Sequence, residues 1–186
     1  LQITNILHDL HHARIIHKDL NPANLLIHPE TKQILLIDFS LASLLPKETQ
    51  KLQRSSALNG TLAYMAPEQT GRVNRGIDYR ADFYGLGVTL YELLTGQLPF
   101  CSDDPMELVY CHIAKTPAAV HDVNAQVPAM LSAIVAKLMA KNAEERYQSA
   151  LALKHDLQQC DRQWETSGRI VEFDLWQRDV SDRFLI

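Results

Sequence analysis

Apolar positions recur at helical spacing from the first residue: Leu1, Ile3, Ile6, Leu7, Leu10 and Ala13 fall on one stripe with no capping residue ahead of them. After a polar stretch over 17–24, two short apolar runs at 25–28 and 34–39 flank Pro29-Glu30-Thr31-Lys32, which predicts a small hairpin. Residues 40–68 show little periodicity. A loop of that length inside a compact domain is usually functional. Residues 79–94 are apolar on nearly every face and stop at Thr95-Gly96 with Pro99 close behind, the pattern of a buried central helix. Asp104 as N-cap, Pro105 at the first helical position and Glu107 in the first turn predict a further helix to about Lys115. Pro128 opens a helix whose stripe is Leu131, Ile134, Val135, Leu138 and Met139, and Ser149 caps a segment running to about Cys160. Beyond Asp161 the pattern changes to alternation at Val171, Phe173 and Leu175, a strand or an extended linker. The sum is a mainly α bundle with one small β-hairpin.

Composition narrows the function classes. With 186 residues and 46% hydrophobic content, one domain with a real core is expected. The net charge of −4 and the absence of a basic run argue against a nucleic-acid surface. No stretch approaches the roughly 18 to 20 apolar residues of a membrane span, and the first residues do not form a signal sequence, so a cytoplasmic location and no membrane partner are expected. Cys101, Cys111 and Cys160 are odd in number and free of CxxC spacing, which suggests idle thiols rather than a disulfide framework or a zinc site.

The chemistry lies in His17-Lys18-Asp19-Leu20-Asn21-Pro22-Ala23-Asn24, followed after the hairpin by Ile37-Asp38-Phe39-Ser40. Taken alone, Asp19 and Asn24 read equally well as turn caps and Asp38 as a strand end. The first piece, however, resembles the protein-kinase catalytic loop H-R-D-L-x-x-x-N, and the second resembles D-F-G. Three further segments extend the likeness. The run from Gly60 to Glu68, ending Ala66-Pro67-Glu68, is similar to the end of a kinase activation segment. Asp82-Phe83-Tyr84-Gly85-Leu86-Gly87 matches the start of the family's central helix, and Glu144-Glu145-Arg146-Tyr147 matches a late segment. Together they resemble the C-terminal lobe of a eukaryotic-type serine/threonine protein kinase, as found in large bacterial multidomain signalling proteins.

That resemblance implies ATP and Mg²⁺ at the site and a protein substrate. Asp19 would be the catalytic base, with Asn24 and Asp38 holding magnesium at the ATP phosphates. Leu26 joins Asn24 and Asp38 in the implied nucleotide-binding set. The implied structural residues are His17, Phe39, Glu68, Asp82 and Arg146. Asp82 would tether the catalytic loop through backbone amides, and Arg146 would pair with Glu68 in an architectural role. Two glycines inside a helix, Gly85 and Gly87, imply close approach of another backbone, in the family that of the catalytic loop.

The likeness covers 1–160, read as the large lobe of a kinase domain, with 161–186 as a linker toward further signalling domains. It places the glycine-rich loop, the phosphate-holding lysine and its acidic partner in a small lobe that is absent from these 186 residues, so the isolated chain is expected to be inactive. Three residues depart from the family pattern. Lys18 replaces arginine, Asn21 stands where serine/threonine kinases usually carry a lysine, and Ser40 replaces glycine and restricts φ. Thr49, Ser55 and Ser56 are candidate phosphorylation acceptors, against a favoured reading as plain loop polarity, with Thr61 expected to bond the catalytic loop. Two rival readings stay open: a pseudokinase that only docks partners, and a small-molecule phosphotransferase of the aminoglycoside or choline kinase type. The set formed by Ala66-Pro67-Glu68, Asp82 and Arg146 favours a protein substrate.

Overall fold

The first apolar stripe forms helix α1 (Gln2–His12), which buries Ile3, Thr4, Leu7 and His11 on one face. The computed structural model describes residues 1–44 and 62–175. Within them run β1 (Ile15–Ile16), β2 (Leu25–Ile27), β3 (Ile34–Leu36), β4 (Ser43–Leu44), α2 (Arg80–Thr95), α3 (Pro105–Ala114), α4 (Val120–Val123), α5 (Ala129–Leu138) and α6 (Ala150–Ser167). The described residues are therefore mainly helical, with two sheets of two antiparallel strands each.

The near-uniform apolarity of α2 has a direct cause: the helix is shared by two cores. Phe83 and Leu86 pack with Leu7, Ile16, Ile134, Leu138 and Leu153 on one side. Ala81, Tyr84, Val88 and Tyr91 pack with Phe100, Leu108, Val120 and Val135 on the other. Gly96 ends the helix in the left-handed region at φ 75°, where a side chain would be strained. The two internal glycines answer to different neighbours. A Cβ on Gly85 would come 3.2 Å from both the Cβ and the carbonyl oxygen of Leu20 in the polar loop over 17–24, the close backbone approach that was expected. On Gly87 it would come 2.8 Å from Leu138 Cβ and Met139 Cγ, so that glycine admits α5 and not the loop.

Expected and observed elements agree closely at α3, where Pro105 occupies the first turn and the Asp104 carboxylate accepts from the Met106 amide. The hairpin forms with Leu25 opposite Leu36, Leu26 opposite Leu35 and Ile27 opposite Ile34. Gln2 on α1 pins it, donating to the Lys32 carbonyl at 3.0 Å and accepting from the Ile34 amide at 2.8 Å. Two features differ from the sequence reading. Helix α6 continues past 160 to Ser167, where Gly168 supplies a left-handed cap at φ 64°; its last turns are polar and carry no apolar stripe to reveal them. Residues 168–175 run on without a strand partner among the described residues, while Ile170, Phe173 and Leu175 pack against the first core.

The second core buries a titratable group. His112 on α3 lies against the Tyr84 hydroxyl, with Nδ1 2.9 Å from it. Burial first, then the Lys141 cation, hold its imidazole down at about 4, with the Ala63 backbone opposing. The folded pKa lies below the ordinary 6.5, so the unfolded chain takes up the proton first as pH falls. The contribution is complete above pH 6.5 and is lost toward pH 4, a span worth about 3 kcal/mol. Urea melts at pH 7 and pH 4.5 should show a steeper loss for the wild type than for His112→Gln.

Candidate active site

The site is built outward from one buried carboxylate. Asp82, in the first turn of α2 where the helix dipole favours a negative charge, accepts from the His17 amide at 3.0 Å and the Lys18 amide at 2.7 Å. The His11 Nε2 lies 2.9 Å from the same carboxylate. Lys18 sits at φ 70°, a conformation that costs a side-chain-bearing residue about 1–2 kcal/mol. Two contacts hold it there: Asp82 on its amide and the Gln69 side chain, which donates to its carbonyl at 2.9 Å. Gln69 also accepts from the Ala66 amide at 3.1 Å, tying the end of the irregular segment to the loop. Burial lowers the Lys18 ammonium below its ordinary value, with Asp82 opposing.

The strained turn delivers Asp19, which is 8% exposed. Its Oδ1 accepts from Asn21 Nδ2 at 3.0 Å and its Oδ2 from Asn24 Nδ2 at 3.0 Å. Asn24 also donates to the Asp19 carbonyl at 2.8 Å. Both of these donations come from Nδ2, so the opposite end of the amide, Oδ1, faces away from Asp19.

Asp38 reaches the same place by way of the hairpin. The ladder continues one step beyond β2 and β3, with the Ile37 amide donating to the Asn24 carbonyl at 3.0 Å. His17, fully buried, spans the two motifs: its Nε2 lies 3.1 Å from the Ile37 carbonyl, and its ring meets Phe39 edge-on at 4.8 Å. Asp38 is exposed, at φ 61°, with Oδ1 accepting from the Ser40 amide at 3.1 Å. The Ser40 hydroxyl, then its amide, hold the Asp38 carboxyl below the usual range. Ser40 itself does not adopt a positive φ, so replacing glycine there introduces no strain. Leu26 lies about half exposed on β2, at the edge of this cluster.

The distal pair is also assembled. Arg146 Nη1 and Nη2 meet the two Glu68 oxygens at 2.6 and 2.9 Å, both side chains being buried. Side-chain contacts thus join Asp19 to Asn24, and backbone and ring contacts through Ile37, His17 and Phe39 tie the segment that carries Asp38 to the same loop, which Asp82 holds from α2. Glu68 and Arg146 lie apart as a brace. Thr49, Ser55, Ser56 and Thr61 fall outside the described residues. Three contributors escaped sequence reasoning: Gln69, His11 and Thr89, whose hydroxyl donates chiefly to the Gly85 carbonyl at 2.8 Å and lies 3.3 Å from the Leu20 carbonyl. Of these only His11 carried a signal, a histidine four residues after Leu7 within the apolar stripe of α1.

Among the described residues no group of three His, Cys, Asp or Glu side chains is gathered for a metal. The set here has two carboxylates and an amide oxygen, hard donors of the kind Mg²⁺ accepts alongside phosphate oxygens and water. The exposed carboxylate of Asp38 and the Asn24 Oδ1, which the contacts with Asp19 do not use, fit that demand.

Comparison with known proteins gives the family. Residues 1–158 match the protein kinase domain family, and the chain belongs to it. It is 38% identical over 149 residues to the serine/threonine-protein kinase PknB of Mycolicibacterium smegmatis, covering 79% of this chain and 23% of that protein. Identity is also 38% over 149 residues to the DNA damage-responsive serine/threonine-protein kinase RqkA of Deinococcus radiodurans, covering 80% of this chain and 22% of that protein. A stretch of 98 residues is 52% identical to hybrid signal transduction histidine kinase G of Dictyostelium discoideum, covering 53% of this chain and 3% of that protein. The chain spans less than a quarter of the length of each of these curated relatives. Among the described residues no helix is long and apolar enough to cross a membrane.

Proposed function

We propose that these residues are the catalytic lobe of a serine/threonine protein kinase, which transfers the γ-phosphoryl group of ATP to a protein hydroxyl. One observation carries the reading: Asp19 is clasped by Asn24, whose own carbonyl is joined to the strand that presents Asp38. Asp19 would take the proton of the attacking hydroxyl as its oxygen bonds to phosphorus and the bond to the β-phosphate oxygen breaks, leaving ADP. Asn24 and Asp38 would hold Mg²⁺, which supplies charge neutralisation at the phosphates when bound. Leu26 would lie against the apolar base of the nucleotide.

The exposed apolar side chains of Leu26 and Leu35, opposite each other in the hairpin and on one face of it, suit a contact with the family's small lobe. That lobe would bring the glycine-rich loop and lysine that these 186 residues do not contain. Further signalling domains in the same protein, a cytoplasmic location and a protein substrate complete the proposal. Substrate phosphorylation by the whole protein should require Mg²⁺ and be lost in Asp38→Ala, and residues 1–186 alone should be inactive. A whole protein that never transfers phosphate would contradict the reading and make the lobe a docking scaffold.

A further inference from the structure

Asn21 uses all of its hydrogen-bonding capacity within the catalytic loop. Its Nδ2 donates to the Asp19 carbonyl at 3.2 Å and to Asp19 Oδ1 at 3.0 Å. Its Oδ1 accepts from the Ala23 amide at 2.9 Å and the Asn24 amide at 3.2 Å. Two donors and two acceptor sites are what one carboxamide offers. One end of the side chain therefore grips the Asp19 carboxylate, while the other caps the short 3₁₀ turn that carries Asn24. Asn24 in turn holds the second Asp19 oxygen, which closes a ring of contacts around that carboxylate.

We propose that Asn21 is a positioning residue that acts through Asp19: its neutral amide fixes the carboxylate's orientation and sets it in register with Asn24. A cation at this place would be a mobile point charge on a long stem, whereas the carboxamide is short, planar and bonded at both ends. Orientation of this kind governs phosphoryl transfer, where a misplacement of about 1 Å can lower the rate about 10²-fold. The inference rests on the kinase reading for the role of Asp19, but the clamp itself is a matter of geometry.

The two ends of the side chain can be separated. Asn21→Asp keeps an acceptor for the Ala23 and Asn24 amides, as good a cap as asparagine, but sets a second carboxylate oxygen against Asp19. In the whole protein, Asn21→Asp should melt close to the wild type, with kcat down about 10²-fold and KM for ATP changed less than about threefold. Asn21→Ser caps the turn but is too short to reach Asp19, and it should show the same split if the aspartate variant fails to fold. A crystal structure of either variant should show Asp19 rotated out of reach of Asn24. Wild-type kcat in both variants would overturn the inference, as would an unmoved Asp19. If the wild-type protein itself transfers no phosphate, the kinase reading fails, and the crystal structures alone decide whether Asn21 is the clamp.

Discussion

Asp19→Asn in the whole protein is expected to lower phosphate transfer by about 10²–10⁴-fold, the usual worth of a positioned general base. The substitution is nearly isosteric, which makes it informative. Both carboxylate oxygens accept from amides, so an asparagine would turn one of its own donors against Asn21 or Asn24. That mismatch should reduce stability by about 1–2 kcal/mol, too little to unfold a typical domain. Single-turnover kinetics beside urea melts separate the two effects. A rate within about tenfold of the wild type would place the base elsewhere.

The second large effect is on stability. Arg146 is 1% exposed and uses five donations: Nε to the Ala140 carbonyl at 2.8 Å, Nη1 to Glu68 and the Arg80 carbonyl, Nη2 to Glu68 and the Lys141 carbonyl. That is the full capacity of a guanidinium. Glu68→Ala leaves the cation buried without its counter-charge and should cost about 3–5 kcal/mol. Arg146→Lys should not restore the pair, because a point charge cannot span two carboxylate oxygens and three carbonyls at once. The double variant Glu68→Ala/Arg146→Met should lose less than the two single changes added together, since neither charge is then left alone. Urea denaturation measures all of these. A loss below about 1 kcal/mol for Glu68→Ala would mean the pair behaves like a surface bridge. Gln69 follows Glu68 directly and holds the Lys18 carbonyl, so loosening the brace should also lower activity.

Much of the site was legible because its chemistry uses fixed residue types at fixed spacing. The sequence places Asp19 and Asn24 five residues apart, and the 3₁₀ turn between them folds that spacing into a direct contact. The hairpin that returns Asp38 was visible from two apolar runs around a turn. What periodicity could not reveal was pairing over two residues: β1 reads as the tail of α1, and β4 lies in a stretch without pattern. Nor could it show that Gly87 serves α5 while Gly85 serves the loop, because identical residues two apart face different neighbours only once the helix is packed. Gln69 was invisible for a related reason. A polar side chain in an irregular segment takes its partner from tertiary structure alone.

Phosphate transfer by this lobe requires Asp19, Asn24 and Asp38 to serve one bound nucleotide. A crystal structure of the whole protein with Mg²⁺ and a non-hydrolysable ATP analogue examines this without recourse to kinetics. The predicted result is magnesium bonded to Asn24 Oδ1 and an Asp38 oxygen at about 2.1 Å, with Asp19 facing the γ-phosphate and bonded to no metal. Magnesium held by other residues, or Asp38 turned away from the phosphates, would contradict it.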